Sequence, residues 1–460
     1  MAMARHGASV RTVAGLVLAL GCGIAGPWAS LPASPHSAPA AARAVPTSAS
    51  ASPAATAQVL APDAYVTRPV ASEVGALRTV VDGDFRRLPV LDMNGASTLE
   101  VSFDLLSDHQ AYLAYRVIHC DCDWQPSDLS ELDYAEGFMP VRVVDVRPSF
   151  NTFVNYWHYA VSFPNDDVRL LLSGNYAVVF HTEGDPDDVV AVATFAVSEQ
   201  AAVLEGSVSA NTDVDFRAGH QQLSLSLAWS PTRMPYLDAA ADVTLVAHQN
   251  RQPYTRRVVT TPARLEAQRA WYEHDPRLIF EAGNTWRRFE FVDERYATLG
   301  VERVRYHAPY HYVRLLSAQP RVRQPYYYDQ DQQGRFLIAA RRVDDVDTEA
   351  DYFWAQFVLD MAPQPEPVYL SGDFTYGLLP PIALMDYDDE VEAYTAQVLL
   401  KQGAYNYQFL TLGPDGQPTP GPIEGNRFET QNEYDIWVYY RPPSARYDRL
   451  LTTALCSVRP

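Results

Sequence analysis

The sequence predicts an all-β protein built of tandem β-sandwich domains, about three of them after a non-globular N-terminal region. Three observations carry this. Short period-two runs rich in Val, Leu, Phe and Tyr recur, as in Leu99-Glu100-Val101-Ser102-Phe103-Asp104-Leu105, Leu223-Ser224-Leu225-Ser226-Leu227 and Tyr434-Asp435-Ile436-Trp437-Val438-Tyr439. Each reads as a half-buried strand. Turn clusters such as Ser173-Gly174-Asn175 and Pro164-Asn165-Asp166-Asp167 punctuate these runs, at the spacing of sandwiches. Finally, 34 prolines are spread over the chain, which disfavours helices and long central strands. Residues 261–272 are the one stretch predicted to be partly helical. The expected division is 63–201, 202–325 and 326–460.

The N-terminus reads as an export signal. Arg5 and Arg11 precede an apolar run from Val13 to Ile24, with small residues near Ala29 and Ser30 offering a cleavage site. That run is far shorter than the ~20 residues a membrane-spanning helix needs, so 1–30 is predicted to be a removed signal peptide. Leu18-Ala19-Leu20-Gly21-Cys22 approaches a lipobox, and lipid anchoring at Cys22 is the lesser alternative to a soluble periplasmic protein. Residues 31–62 are almost entirely Ala, Pro, Ser and Thr, a composition expected to remain a disordered linker.

Charge narrows the partners. The formal net charge is -20, from 56 acidic against 36 basic residues, and Lys401 is the only lysine. Nucleic acid is excluded as a partner because neutralising phosphates requires a basic face. In an oxidising compartment Cys120 and Cys122 can pair with each other or with Cys456, although neighbours at i and i+2 make strained partners. His119-Cys120-Asp121-Cys122 gathers possible metal ligands, but no second pair with zinc-site spacing follows, and buried thiols or a redox-sensitive clip are preferred to a metal site.

No local signature of catalysis occurs: no Gly-x-Ser-x-Gly, His-Glu-x-x-His, P-loop or Gly-x-Gly-x-x-Gly. Acidic groups at Asp344, Asp345 and Asp347, and at Asp386, Asp388, Asp389 and Glu390, sit in turn-like polar runs and read as solvated carboxylates. The aromatic runs Tyr156-Trp157-His158-Tyr159, Tyr326-Tyr327-Tyr328 and Tyr439-Tyr440 read mainly as core and cross-strand packing. The expectation is a protein without enzymatic activity, cofactor, metal or small-molecule substrate.

Ordered motifs sharpen the reading. Tyr115-Arg116-Val117-Ile118-His119-Cys120 leads to Asp123-Trp124-Gln125-Pro126-Ser127, then Ser149-Phe150-Asn151-Thr152, Tyr156-Trp157-His158-Tyr159, Phe163-Pro164-Asn165 and Ser173-Gly174-Asn175-Tyr176. Later come Arg287-Arg288-Phe289-Glu290-Phe291, Ala350-Asp351-Tyr352, Tyr369-Leu370-Ser371-Gly372-Asp373-Phe374, Lys401-Gln402-Gly403-Ala404-Tyr405, Asn432-Glu433-Tyr434 and Tyr447-Asp448. In this order and wording the chain resembles the Plug protein family of the bacterial type IX secretion system. The resemblance implies a periplasmic β-sandwich protein, monomeric, that docks on the periplasmic mouth of a very large outer-membrane translocon barrel and closes it. Cys122 departs from the family pattern, and the Ala- and Pro-rich linker lies outside it.

The motif residues are Cys120, Asp123, Trp124, Ser127, Asn151, Tyr159, Asn165, Gly174, Asn175, Tyr176, Gly372, Phe374, Lys401, Gly403, Tyr405, Asn432, Tyr434, Tyr447 and Asp448. They are expected to be mainly structural: Asp123, Trp124 and Ser127 as a turn beside a buried tryptophan, Asn175 supporting the turn into its strand, and Lys401 at a hairpin edge. Which residues touch the partner is not legible. A second reading comes from Val368 to Phe409, which resembles the early-set immunoglobulin-like modules that bind glycogen and related glucans. An envelope glycan-binding role is therefore the alternative, although Thr375-Tyr376-Gly377 stands where such modules usually carry a sugar-stacking tryptophan.

Overall fold

The structure, a computed structural model, describes residues 64–377 and 382–458. The predicted signal peptide, the linker and Cys22 lie outside the described residues. The described chain is almost wholly β and folds as pairs of facing sheets without a closed barrel.

The first sandwich packs a four-stranded antiparallel sheet (Val74–Val81, Leu99–Leu105, Trp157–Phe163, Asp145–Pro148) against a sheet centred on Leu113–Cys120, Gly174–Thr182 and Val189–Ser198. Alternate residues of both sheets point inward, so Phe103, Tyr159, Phe163, Phe180 and Phe195 fill one core. Phe103 stacks on Tyr159 at 5.4 Å and meets Phe180 edge-on at 5.0 Å.

The remaining strands divide differently from the expected cut at residue 325. Glu433–Tyr440 and Arg449–Ser457, placed by sequence in the C-terminal domain, pair in one sheet with Val243–Gln249. They complete the second sandwich, whose other sheet holds Ala202–Ser209, His220–Trp229 and Arg269–Tyr272. The third sandwich is inserted between its halves, running from Arg287–Phe291 to Pro418–Thr419 around a core with Phe289, Phe357, Phe374 and Tyr405. An insertion of this kind is invisible to a linear reading, because nothing local marks which distant strand completes a sheet.

The predicted helix at 261–272 is a hairpin instead: Arg264–Glu266 pairs with Arg269–Tyr272. Cross-strand packing of Ala270 and Tyr272, both fully buried, overrides the weak helical tendency of the run.

Two strands expected to be half-buried are covered on both faces. In Glu433–Tyr440, Tyr434, Ile436 and Val438 face the second core, while Trp437 and Tyr439 pack with Ala196 and Leu450 toward the first sandwich. Polar residues in the outward phase are therefore buried too, Asp435 here and Asp104 in Leu99–Leu105. These buried acids mark where sandwiches meet.

Candidate functional site

The described residues concentrate their buried polar chemistry at junctions between sandwiches. At the junction of the first and third, two cross-strand pairs confront each other: Asp104 lies opposite His158 on one sandwich, and Lys401 opposite Tyr352 on the other. Asp104 Oδ2 accepts from Lys401 Nζ at 2.5 Å and from Tyr352 Oη at 2.8 Å, and Oδ1 lies 2.7 Å from His158 Nδ1. Lys401 also donates to the carbonyl of Asp347 at 2.7 Å, and its ammonium stands 4.3 Å from the ring centroid of Tyr156. Lys401 thus makes two hydrogen bonds and a ring contact within the protein.

Lys401 is 2 % exposed, which corrects the expected hairpin-edge placement. The side chain enters the junction because the strand Ala393–Lys401 ends facing the first sandwich, where an acid awaits it. Burial alone would raise the Asp104 carboxyl, but the charge of Lys401 and the hydrogen bond to His158 outweigh it and hold the group below its ordinary value. Around this centre Arg147 pairs with Asp345 at 2.6 Å, Arg78 pairs with Asp347, and Asp351 accepts from the backbone N–H groups of Phe153 and Val154. Asp345 and Asp347 are therefore partners of the first sandwich, not the solvated acids expected; Asp344 is exposed.

The first and second sandwiches meet through the other motif residues. Asn175 donates to the Asp121 carbonyl at 3.0 Å and accepts from Tyr439 Oη at 2.9 Å. Asp448 accepts from the Cys122 N–H at 2.9 Å, and its own N–H donates to Asp121 at 3.0 Å. His119 holds this corner, with Nδ1 2.8 Å from Ser127 Oγ and its ring edge-on to Tyr447 at 5.2 Å. Trp124 is half-buried with φ of 66° and meets Trp437 edge-on across the junction; the expected core tryptophan is an interfacial one. Asp123 is exposed and caps its own turn by accepting from the Gln125 N–H.

Gly174 is required at this corner. Its φ of +133° is unfavourable for side-chain-bearing residues, and a Cβ would stand 2.5 Å from His119 Nε2. Gly174→Ala is expected to destabilise the protein by roughly 1–3 kcal/mol, read as a shift of the denaturant midpoint.

Other motif residues serve the interior. Tyr159 Oη donates to the Ala111 carbonyl and Tyr176 Oη to that of Leu172, both at 2.8 Å. Asn165 closes its turn by accepting from the Val168 N–H at 2.8 Å, and exposed Asn151 occupies a left-handed turn position. In the third sandwich Tyr405 stacks between Phe289 and Phe336, with Phe374 edge-on to it. A Cβ on Gly372 would meet the Asn406 carbonyl at 2.6 Å, and one on Gly403 would collide with that of Leu337. Asn432 donates to Gln221 at 3.0 Å and to the Ala282 carbonyl at 2.7 Å while accepting from Asn250 at 2.8 Å; Tyr434 Oη reaches the same Gln221.

Cys120, Cys122 and Cys456 are all unpaired thiols. Burial pushes Cys120 up to about 12 and raises Cys122 further, the protonated state in which a thiol is a poor nucleophile. Among the described residues no group of three or more His, Cys, Asp and Glu side chains is placed to hold a metal ion. Sequence reasoning missed Asp104, His158 and Glu424, since an acid or histidine at an outward strand position carries no local sign of burial.

Comparison with known proteins agrees with this architecture. Residues 74–199 match the family described as type 9 secretion system plug protein 1st domain. The chain is similar to a hypothetical protein from Parabacteroides merdae whose crystal structure is solved: 36 % identity, TM-score 0.83, covering 86 % of this chain and 99 % of that one. No curated protein matches. With the family match falling on the sandwich that carries the His119, Asn175 and Asp104 corners, and the likeness extending over the inserted third sandwich, the chain belongs to the type 9 secretion system plug protein family.

Proposed function

We propose that the protein is a non-enzymatic, monomeric periplasmic plug that binds the periplasmic opening of the type IX outer-membrane translocon barrel and closes it when no cargo is in transit. Beyond family membership, one observation carries the reading: the sandwiches are joined by buried, hydrogen-bonded polar groups at their junctions, an ion pair between the first and third and the Tyr439–Asn175 bond between the first and second. A stopper for a wide aqueous pore has to be one rigid body, and these junctions oppose hinging. On this reading the motif residues keep the body rigid, and the partner meets other surface. No helix among the described residues is long and apolar enough to cross a membrane.

The glycan alternative loses its aromatic platform. Tyr376, in the place where a sugar-stacking residue is usual, is half-buried and packs against the core of the first sandwich.

The test combines capture and conductance. Tagged protein recovered from envelope extracts is expected to bring down a very large outer-membrane barrel, and adding the purified protein to that barrel in a planar bilayer is expected to block its current from the periplasmic side only. Retention on a glucan column with no effect on the conductance overturns the proposal.

A further inference from the structure

A cavity of about 610 Å³ lies where the three sandwiches meet, within the ~300–1,000 Å³ usual for small-molecule sites. Each sandwich supplies part of its apolar wall: Leu77 and Val80 from the first, Trp437 from the second, Phe336 and Ile338 from the third. Its charged lining is biased, with five arginines against two aspartates, in a chain whose net charge is -20.

The centre of that bias is Arg251 and Arg335. They share one ion-pairing carboxylate, with Asp373 and Asp435 nearby: Arg335 pairs directly with Glu433, and Arg251 Nη2 lies 3.7 Å from the same Oε1, while the two Arg251 terminal nitrogens donate to the carbonyls of Arg87 and Arg86. Arg335 is 3 % exposed, and the Nε atoms of Arg251, Arg256 and Arg335 are buried without a hydrogen-bond partner. Burial and the neighbouring Arg335 push the Arg251 guanidinium down to about 10, the mark of a positive charge its surroundings do not fully compensate. Under-compensated guanidinium groups beside an apolar wall favour a ligand that brings an oxyanion to the first and a hydrocarbon or aromatic body to the second.

We infer that this cavity binds a small amphiphilic anion, a carboxylate, sulfonate or phosphate on an apolar body, and by touching all three sandwiches tightens them around it. The inference is independent of the plugging role, because a cavity that binds no anion leaves a rigid stopper intact.

The test uses two dyes on the full chain. Anilinonaphthalene sulfonate is an aromatic body with an anionic group, and N-phenyl-1-naphthylamine is its uncharged counterpart. The sulfonate is expected to bind saturably with one equivalent per chain, at least about tenfold tighter than the amine, the scale of one charge-assisted contact. Arg251→Gln and Arg335→Gln are each expected to lower sulfonate affinity by about tenfold and leave the amine unchanged; Arg264→Gln, at an exposed arginine stacked on Trp271 outside the cavity, changes neither.

Acidity supplies an independent readout. The Asp373 carboxyl, hydrogen-bonded to Gln252, is pushed up to about 6 by burial against the opposing pull of Arg335 and Arg251. Tyr254, Glu433, Asp435 and His248 complete its charged and titratable surroundings. Protonating Asp373 removes a negative charge, so sulfonate affinity is expected to rise as pH falls from 7 to 5. Equal affinity for the two dyes in the unmodified protein, or sulfonate binding without saturation, overturns the inference even if an arginine variant fails to fold.

Discussion

Replacing Asp104 with alanine is expected to destabilise the protein by about 3–5 kcal/mol, because it strips the buried Lys401 ammonium of its hydrogen-bonded counter-charge. Lys401 keeps one hydrogen bond, to the Asp347 carbonyl, and the face of Tyr156, and Tyr352 Oη and His158 Nδ1 lose their acceptor together. The loss should be read as a lower urea midpoint. The double variant Asp104→Asn with Lys401→Met separates stranded charge from lost packing: the amide still accepts a hydrogen bond at this site, the lysine is replaced by an apolar chain of similar length, and most of the stability should return. The pH dependence follows from the lowered pKa of Asp104. A carboxyl held below its unfolded value of ~4 contributes fully above that pH and loses its contribution as pH falls through the folded value. The gap between the original protein and Asp104→Ala is therefore expected to narrow below pH ~4.

The same residue shows how far the sequence could be read. Alternation in Leu99–Leu105 located the strand and its inward phase, and Phe103 does lie in the core; the outward phase, with Ser102 and Asp104, is buried as well. Period-two logic assigns one face to the core and leaves the other to solvent, so it has no means of detecting a second sandwich packed on the outside. Glu433–Tyr440 did carry a usable signal, since Ile436 and Val438 in one phase and Trp437 and Tyr439 in the other are all apolar or aromatic, the pattern of a strand buried on both faces. Lys401 offered none. A lone lysine before Gln402-Gly403 has the local look of a turn, and only its position against Asp104, 297 residues earlier in the chain, gives it a buried partner. Motif order identified the family through residues that mostly hold corners together, as Gly174 and Asn175 do. It did not reveal that the third sandwich interrupts the second, because that fact resides in the pairing of Val243–Gln249 with Glu433–Tyr440.

An inserted domain has to bring its two ends together, and here one carboxylate does so. The chain enters the third sandwich at Arg287 and leaves through the short helix Gly421–Glu424. Glu424, fully buried, takes Arg287 Nε at 2.9 Å and Nη2 at 3.1 Å, Arg321 Nε at 2.7 Å and the Phe409 N–H at 2.9 Å. Burial would raise its pKa, yet the two guanidinium groups keep it below the ordinary value, so it is ionised in the folded state. Glu424→Ala strands two arginines at the base of the insertion and is expected to cost about 3–5 kcal/mol. The consequence should also be local: hydrogen exchange is expected to quicken first in Arg287–Phe291 and Gly403–Leu412, the paired strands above the staple, while Leu113–Cys120 and Gly174–Thr182 in the first sandwich retain their protection. If the variant instead loses protection uniformly, the three sandwiches unfold as one cooperative unit and Glu424 is no more than one stabilising contact among many. Selective loss would identify the base of the insertion as the weakest seam of a body whose other junctions are built to stay closed.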